Sequence, residues 1–97
     1  MRIIAKKSLK VFWEVYPECE QQLKSWYQEA SNAQWSNPND IKKDYPAASI
    51  LTDNRVVFNI KGNHYRLIVK INYDYHIVWI RFVGTHTEYD KINAKTI

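Results

Sequence analysis

The chain has 97 residues, 45% apolar and 25% charged, with four tryptophans, seven tyrosines and three phenylalanines. That length supports one hydrophobic core but not two, and that composition excludes a disordered tail. The net charge of +4 is carried entirely by the second half: residues 1–53 hold seven bases and seven acids, residues 54–97 seven bases and three acids. We therefore read a single domain over residues 1–97 whose second half suits a polyanionic partner. The longest apolar runs, Leu67 to Val69 and Ile77 to Ile80, fall far short of the roughly 20 residues a membrane span needs. The N-terminal segment lacks the long apolar core of a secretory signal. Cys19 stands alone, so no internal disulfide forms, and a cytoplasmic setting is expected.

In chain order, Met1 to Ala5 reads as a short strand. Leu9, Phe12, Trp13 and Tyr16 then recur at helical spacing, predicting an amphipathic helix that ends before Pro17. Pro17 opens a second helix, with Glu18 and Glu20 near its positive end and Cys19, Leu23, Trp26, Tyr27 and Ala30 on one face. Two helices joined by so short a corner pack as a pair over a shared surface. Asn37-Pro-Asn-Asp is a turn or helix-start signal, so a single helical turn is expected over Ile41 to Tyr45.

From Arg55 the texture becomes β-branched and aromatic. Arg55 to Ile60, His64 to Ile71 and His76 to Val83 read as three strands, joined by connectors of hairpin length into an antiparallel meander. The fold class is α+β: two N-terminal helices on a mainly antiparallel sheet of three to five strands. Alternation places Tyr65, Leu67, Val69 and Ile71 on the core face of the second strand. In the third, Val78, Ile80 and Phe82 oppose Ile77, Trp79, Arg81 and Val83. The face away from the helices then presents Arg66, Lys70 and Arg81 beside Trp79.

The third strand runs into Gly84-Thr-His-Thr-Glu-Tyr-Asp, a dense group of ionisable side chains at a strand end. Thr85-x-x-Glu88 has capping-box spacing, so Glu88 reads as a cap, and a short turn would place His86, Tyr89 and Asp90 on one side. Histidine is the natural proton carrier near neutral pH, and Tyr89 can hydrogen-bond or stack on a base. Asp90 beside Lys91 reads as a surface ion pair. Metal hydrolysis wants convergent ligands, whereas His64, His76 and His86 sit on separate elements; no metal is expected. There is no phosphate-binding glycine loop and no nucleophile elbow. Cys19 lies on an apolar helix face as a buried inert thiol. Lys6, Lys7 and Lys10 crowd the start of the first helix, against its dipole, and read either as a solvated face or as an RNA or ribosome contact.

Phe58-Asn-Ile-Lys-Gly-Asn-His-Tyr-Arg-Leu-Ile-Val-Lys-Ile, followed by Val78-Trp-Ile-Arg-Phe-Val-Gly-Thr-His-Thr-Glu-Tyr-Asp-Lys-Ile, resembles the HigB family of toxins from bacterial type II toxin–antitoxin systems. The resemblance implies a RelE-like fold and a ribosome-dependent messenger-RNA endonuclease that inhibits translation, silenced by a helix-turn-helix antitoxin of the HigA kind. It implies metal-independent, cofactor-free cleavage, in which the substrate's own 2′-hydroxyl attacks the neighbouring phosphate. In this frame His86 carries a proton, most naturally to the leaving 5′-oxygen, and Tyr89 orients or stacks the substrate. Arg66 and Arg81 stabilise phosphate charge, while Lys61, Asn63, Lys70 and Trp79, with Lys6, Lys7 and Lys10, hold the RNA. The general base stays open among Tyr89, Asp90 and a basic residue. The competing reading is a non-catalytic module of the same fold that binds RNA or the antitoxin.

Overall fold

The computed structural model describes residues 1–97. Strand β1 (Arg2–Ile4) leads into helix α1 (Lys6–Val15), a 3-10 turn (Pro17–Cys19) and helix α2 (Glu20–Asn32). Helix α3 (Pro38–Asp44) precedes β2 (Ser49–Ile50), β3 (Arg55–Ile60), β4 (Tyr65–Asn72), β5 (Ile77–Thr85) and the short α4 (His86–Tyr89). The five strands form one sheet in the order β1-β5-β4-β3-β2. The expected antiparallel meander is β3-β4-β5; β2 adds antiparallel to β3, and β1 adds parallel to β5.

Both long helices lie on one face of the sheet. Leu9 and Trp13 of α1 and Leu23, Trp26 and Ala30 of α2 are buried in one core with Val56, Phe58 and Ile60 of β3, Tyr65, Leu67, Val69 and Ile71 of β4, and Val78 of β5. The first turn of α1 has no acidic residue and no side-chain cap, so packing rather than end chemistry holds it. At the end of α2, the Met1 amino group donates to the carbonyls of Ser31 (3.0 Å) and Ala33 (2.8 Å), a cation against the negative end of a helix dipole. Cys19 is fully buried, as expected, and burial raises its thiol pKa.

Helix α3 is longer than the single turn expected over Ile41 to Tyr45. Asn37 accepts from the Asp40 amide (3.2 Å) as N-cap, and Pro38, which needs no amide partner, fits the first turn. A second correction concerns β5. The β4–β5 register shifts between Ile68 and Val69, pairing Ile68 with Phe82 but Val69 with Ile80. Arg81 is the extra residue of this bulge, so strict alternation fails there. Val83, expected on the open face, packs against the core, and Phe82 pairs on the open face instead.

Candidate functional site

Three rows cross the sheet face turned away from α1 and α2, each set by strand register. Asn59, Arg66 and Gly84 form one; Val57, Ile68 and Phe82 the next; Arg55, Lys70 and Trp79 the third. Gly84 is needed in the first row because a Cβ there would lie 2.5 Å from Cζ of Phe82, whose ring occupies that space. The middle row is apolar, with Val57 and Ile68 buried. Polar chemistry therefore collects at the two ends of the face.

At one end β5 runs into α4. The capping box is complete: Thr85 Oγ1 accepts from the Glu88 amide (3.1 Å), and Glu88 Oε1 accepts from the Thr85 amide (2.8 Å). Glu88 is thus a cap, as its spacing indicates. The turn it fixes sets His86 and Asp90 four residues apart on one side, with Nδ1 of His86 3.0 Å from Oδ2 of Asp90. Asp90 pairs with His86 and not with Lys91, which corrects the ion pair expected from adjacency; on a helical turn neighbours in sequence diverge while i and i+4 meet. With Nδ1 engaged, Nε2 is the nitrogen left for a substrate. The two side chains are 48% and 58% exposed, so this nitrogen is reachable.

Arg66 faces this turn from β4. Its guanidinium lies 5.5 Å from the centre of the Tyr89 ring, and Nη1 donates to the Asn63 carbonyl (3.0 Å). No carboxylate is paired with it. The β3–β4 connection closes the same end, with Lys61 and Gly62 both at positive φ (51° and 65°). Lys61 pairs with Glu18 (3.3 Å). The His64 carbonyl accepts from the His86 amide (3.0 Å), bringing a second histidine beside the first. Sequence reading leaves His64 out; its signal lay in its position one residue before a strand whose start, Tyr65, pairs with Thr85.

The other end holds Arg55, Lys70, Trp79 and Arg81. Asp53 accepts from Arg55 Nη1 (2.6 Å) and Lys70 Nζ (3.3 Å), and these two partners, Arg55 first, hold its carboxyl below its ordinary range. Arg55, only 6% exposed, also donates twice to the Ile97 carbonyl (3.1 and 2.8 Å), which Arg81 Nε reaches at 3.3 Å. Lys70 and Arg81 therefore sit apart from His86 and are already partnered; Arg66 alone among the expected phosphate ligands stands with His86 and Tyr89. Lys6, Lys7 and Lys10 are exposed on α1, across the sheet from Arg66, and Lys6 stacks 5.0 Å from the Tyr27 ring centre. No three His, Cys, Asp or Glu side chains converge as a metal set would.

The sequence model of a family described as HigB_toxin, RelE-like toxic component of a toxin–antitoxin system, matches residues 19–92. Similar curated proteins include the mRNA interferase toxin HigB of Escherichia coli (strain K12), 29% identical over 96 residues, which cover 97% of this chain and 92% of that protein. The mRNA interferase HigB of Shigella flexneri matches to the same extent. That of Escherichia coli O6:H1 is 26% identical over 94 residues, covering 95% of this chain and 91% of its own. With the family match spanning α2, α3, β2 to β5 and the strand-end turn of His86, the chain belongs to the HigB family of RelE-like toxin components of toxin–antitoxin systems.

Proposed function

We propose that this protein is a messenger-RNA endonuclease that acts on the translating ribosome and needs no metal. The observation that carries the reading is the unpaired Arg66 guanidinium beside Tyr89 on the turn that also holds the His86–Asp90 pair. The substrate's 2′-hydroxyl gives its proton to a general base, drawn from Tyr89, Asp90 or a basic residue, as its oxygen attacks the adjacent phosphorus; the bond to the 5′-oxygen breaks, and the products carry a 2′,3′-cyclic phosphate and a 5′-hydroxyl. His86 delivers a proton from Nε2 to the departing 5′-oxygen, and Asp90 holds the ring by its other nitrogen. Arg66 neutralises charge growing on the phosphate, as a fixed cation more useful to the transition state than to the ground state. Tyr89, kept in place by Arg66, stacks or orients the substrate. That this route asks only for proton transfer and cations agrees with a site built from His, Arg and Tyr.

Lys61 and Asn63 flank the cleavage end and Lys70 and Trp79 the far end, a track for the RNA backbone with an aromatic for a base. Arg81 supports that far end. Lys6, Lys7 and Lys10, on the opposite layer, meet the ribosome rather than the scissile strand. A ribosomal target implies a cytoplasmic protein, and membership of a toxin–antitoxin family supports an antitoxin partner, here of the helix-turn-helix, HigA kind. No helix is long and apolar enough to cross a membrane.

The test is end chemistry. Messenger RNA cut by the purified protein on translating ribosomes is expected to carry 2′,3′-cyclic phosphate and 5′-hydroxyl ends, and Arg66→Ala is expected to lower the cut by roughly 100-fold or more. Salt-sensitive RNA binding with no new ends from folded protein would overturn the enzyme in favour of a binding module.

A further inference from the structure

Val57 and Ile68 lie in the middle row of the face turned away from α1 and α2, outside the core those helices cover, yet they are 2% and 0% exposed. The chain that follows α4 supplies the cover. It returns over that face with Ile92, Ala94 and Ile97 half-buried and the residues between them exposed. The Thr96 and Ile97 amides both donate to the Asn93 carbonyl (3.1 Å each), closing a turn. That turn aims the Ile97 backbone oxygen at two guanidiniums from the strands on either side of β4. Arg55 of β3 donates through Nε (3.1 Å) and Nη2 (2.8 Å), and Arg81 of β5 through Nε (3.3 Å).

Three N–H groups thus share one oxygen. The Nε–Nη2 edge of an arginine is a fork that fits two oxygens of one anion, and here both tines close on a single atom. Arg55, Lys70 and Arg81 also face only one carboxylate, Asp53, which accepts from Arg55 Nη1 and from Lys70. Excess positive charge with under-used donors suits a phosphodiester, whose two free oxygens match the fork. Lys70, the register partner of Arg55, stands four residues from Arg66 along β4, about 13 Å, so a phosphate bound here is not the one beside His86. An RNA strand running between the two ends of the face crosses the middle row, where the chain after α4 lies.

We propose that Arg55 and Arg81 form a second phosphodiester site for the RNA strand, and that residues 91–97 are a strap whose Ile97 oxygen fills this site until RNA replaces it. This rests on the endonuclease reading above, whose track it extends. Asp53 keeps Arg55 Nη1, so Nε and Nη2 stay aimed at the vacated position. Ribose and base faces then cover Val57, Ile68 and Phe82 in place of Ile92 and Ile97. With the strap closed the free protein holds RNA weakly, which suits an enzyme whose message is presented by the ribosome.

The probe is a 2′-O-methyl RNA hexamer, which has no 2′-hydroxyl and stays uncut, added to the 15N-labelled full chain. On binding, the heteronuclear NOE of residues 93–97 is expected to fall to that of a mobile chain, while the Arg55 Nε–H resonance, identified by Arg55→Lys, shifts. Removing residues 93–97 should tighten hexamer binding by roughly 10-fold and steepen its log–log salt slope by about 0.7, one more phosphate of a single strand. Arg81→Gln, at an exposed position, should abolish both gains. Ile97→Ala keeps the backbone oxygen but loosens the apolar contact; it should tighten binding to a lesser degree, and it carries the test where the deletion fails to fold. A strap that stays ordered while the hexamer binds, folded strap variants that bind no better than the unaltered chain, or gains that persist in Arg81→Gln overturn the proposal. So does release of the strap by the antitoxin and not by the hexamer. Cleavage of ribosome-bound message with the strap fixed removes the strap alone; a strap released by the hexamer, without any cleavage, removes the endonuclease reading and leaves the phosphate site standing.

Discussion

Replacing His86 by alanine separates catalysis from stability, because the two expected effects differ greatly in size. Its side chain is 48% exposed and its one ionic contact is with Asp90 at i+4, also half-exposed. Such a pair contributes about 0.3–0.5 kcal/mol. The capping box that holds the turn is made by Thr85 and Glu88 and does not involve the imidazole. The melting temperature should therefore fall by no more than about 2–4 °C, since 1 kcal/mol corresponds to about 4–8 °C for a domain of this size. A general acid, by contrast, is worth roughly 10²–10⁴-fold, or about 3–5 kcal/mol of barrier. Single-turnover cleavage of a ribosome-bound message by His86→Ala should be slower by at least 100-fold, while thermal denaturation stays nearly unchanged. Asp90→Asn, which keeps the geometry, should lose less. A folded His86→Ala protein that cuts at the unaltered rate would remove the imidazole from the mechanism; a large fall in melting temperature would refute the claim that the turn stands without it.

Acid should weaken the far end of the face through Asp53. Its pKa is lowered in the folded protein by Arg55 and Lys70, so its stabilising contribution is full above the ordinary carboxylate range and fades as pH falls through the lowered folded value. The stability difference between the protein and Asp53→Asn, from urea melts, should shrink toward zero on acidification; a difference independent of pH would contradict the assignment. In alkali the sign reverses. Burial raises the phenol pKa of Tyr45, helped by Glu29, and of Tyr73, so the unfolded chain releases these protons first and stability falls above about pH 10. Two of the seven tyrosines should give phenolate absorbance only as the protein unfolds, and a fully reversible titration of all seven in the folded state would count against this. Gly62→Ala should cost about 1 kcal/mol in chemical denaturation, from φ alone, because a Cβ there meets nothing within 4 Å. An unchanged midpoint would mean the turn adopts another conformation.

Much of this architecture is legible in the sequence because its signals are local. The helical spacing of Leu9 and Trp13, the β-branched runs from Arg55, and the two short connectors each follow from neighbours in the chain, and the capping box at Thr85 and Glu88 is a four-residue pattern. What escapes is whatever depends on register. The bulge at Arg81 exchanges Phe82 and Val83 between faces, and nothing in Ile80-Arg-Phe-Val marks where an extra residue enters. The parallel pairing of β1 with β5 joins segments more than seventy residues apart in the chain. The site was half visible for the same reason. His86 and Tyr89 share one turn and are found together, and Arg66 follows from alternation. His64 comes to His86 only through the β4–β5 pairing, and Lys70 and Arg81 look free in sequence because their partners, Asp53 and the Ile97 carbonyl, lie 17 and 16 residues away.

The most direct test of the account is to map messenger-RNA 5′ ends in a translation reaction, with ribosomes engaged on the message or absent. Discrete cuts within the translated frame that appear only with ribosomes, and vanish in His86→Ala and Arg66→Ala, are the predicted result. Intact message in the presence of folded protein and active ribosomes would contradict it, leaving a HigB-family fold whose open face binds without cutting.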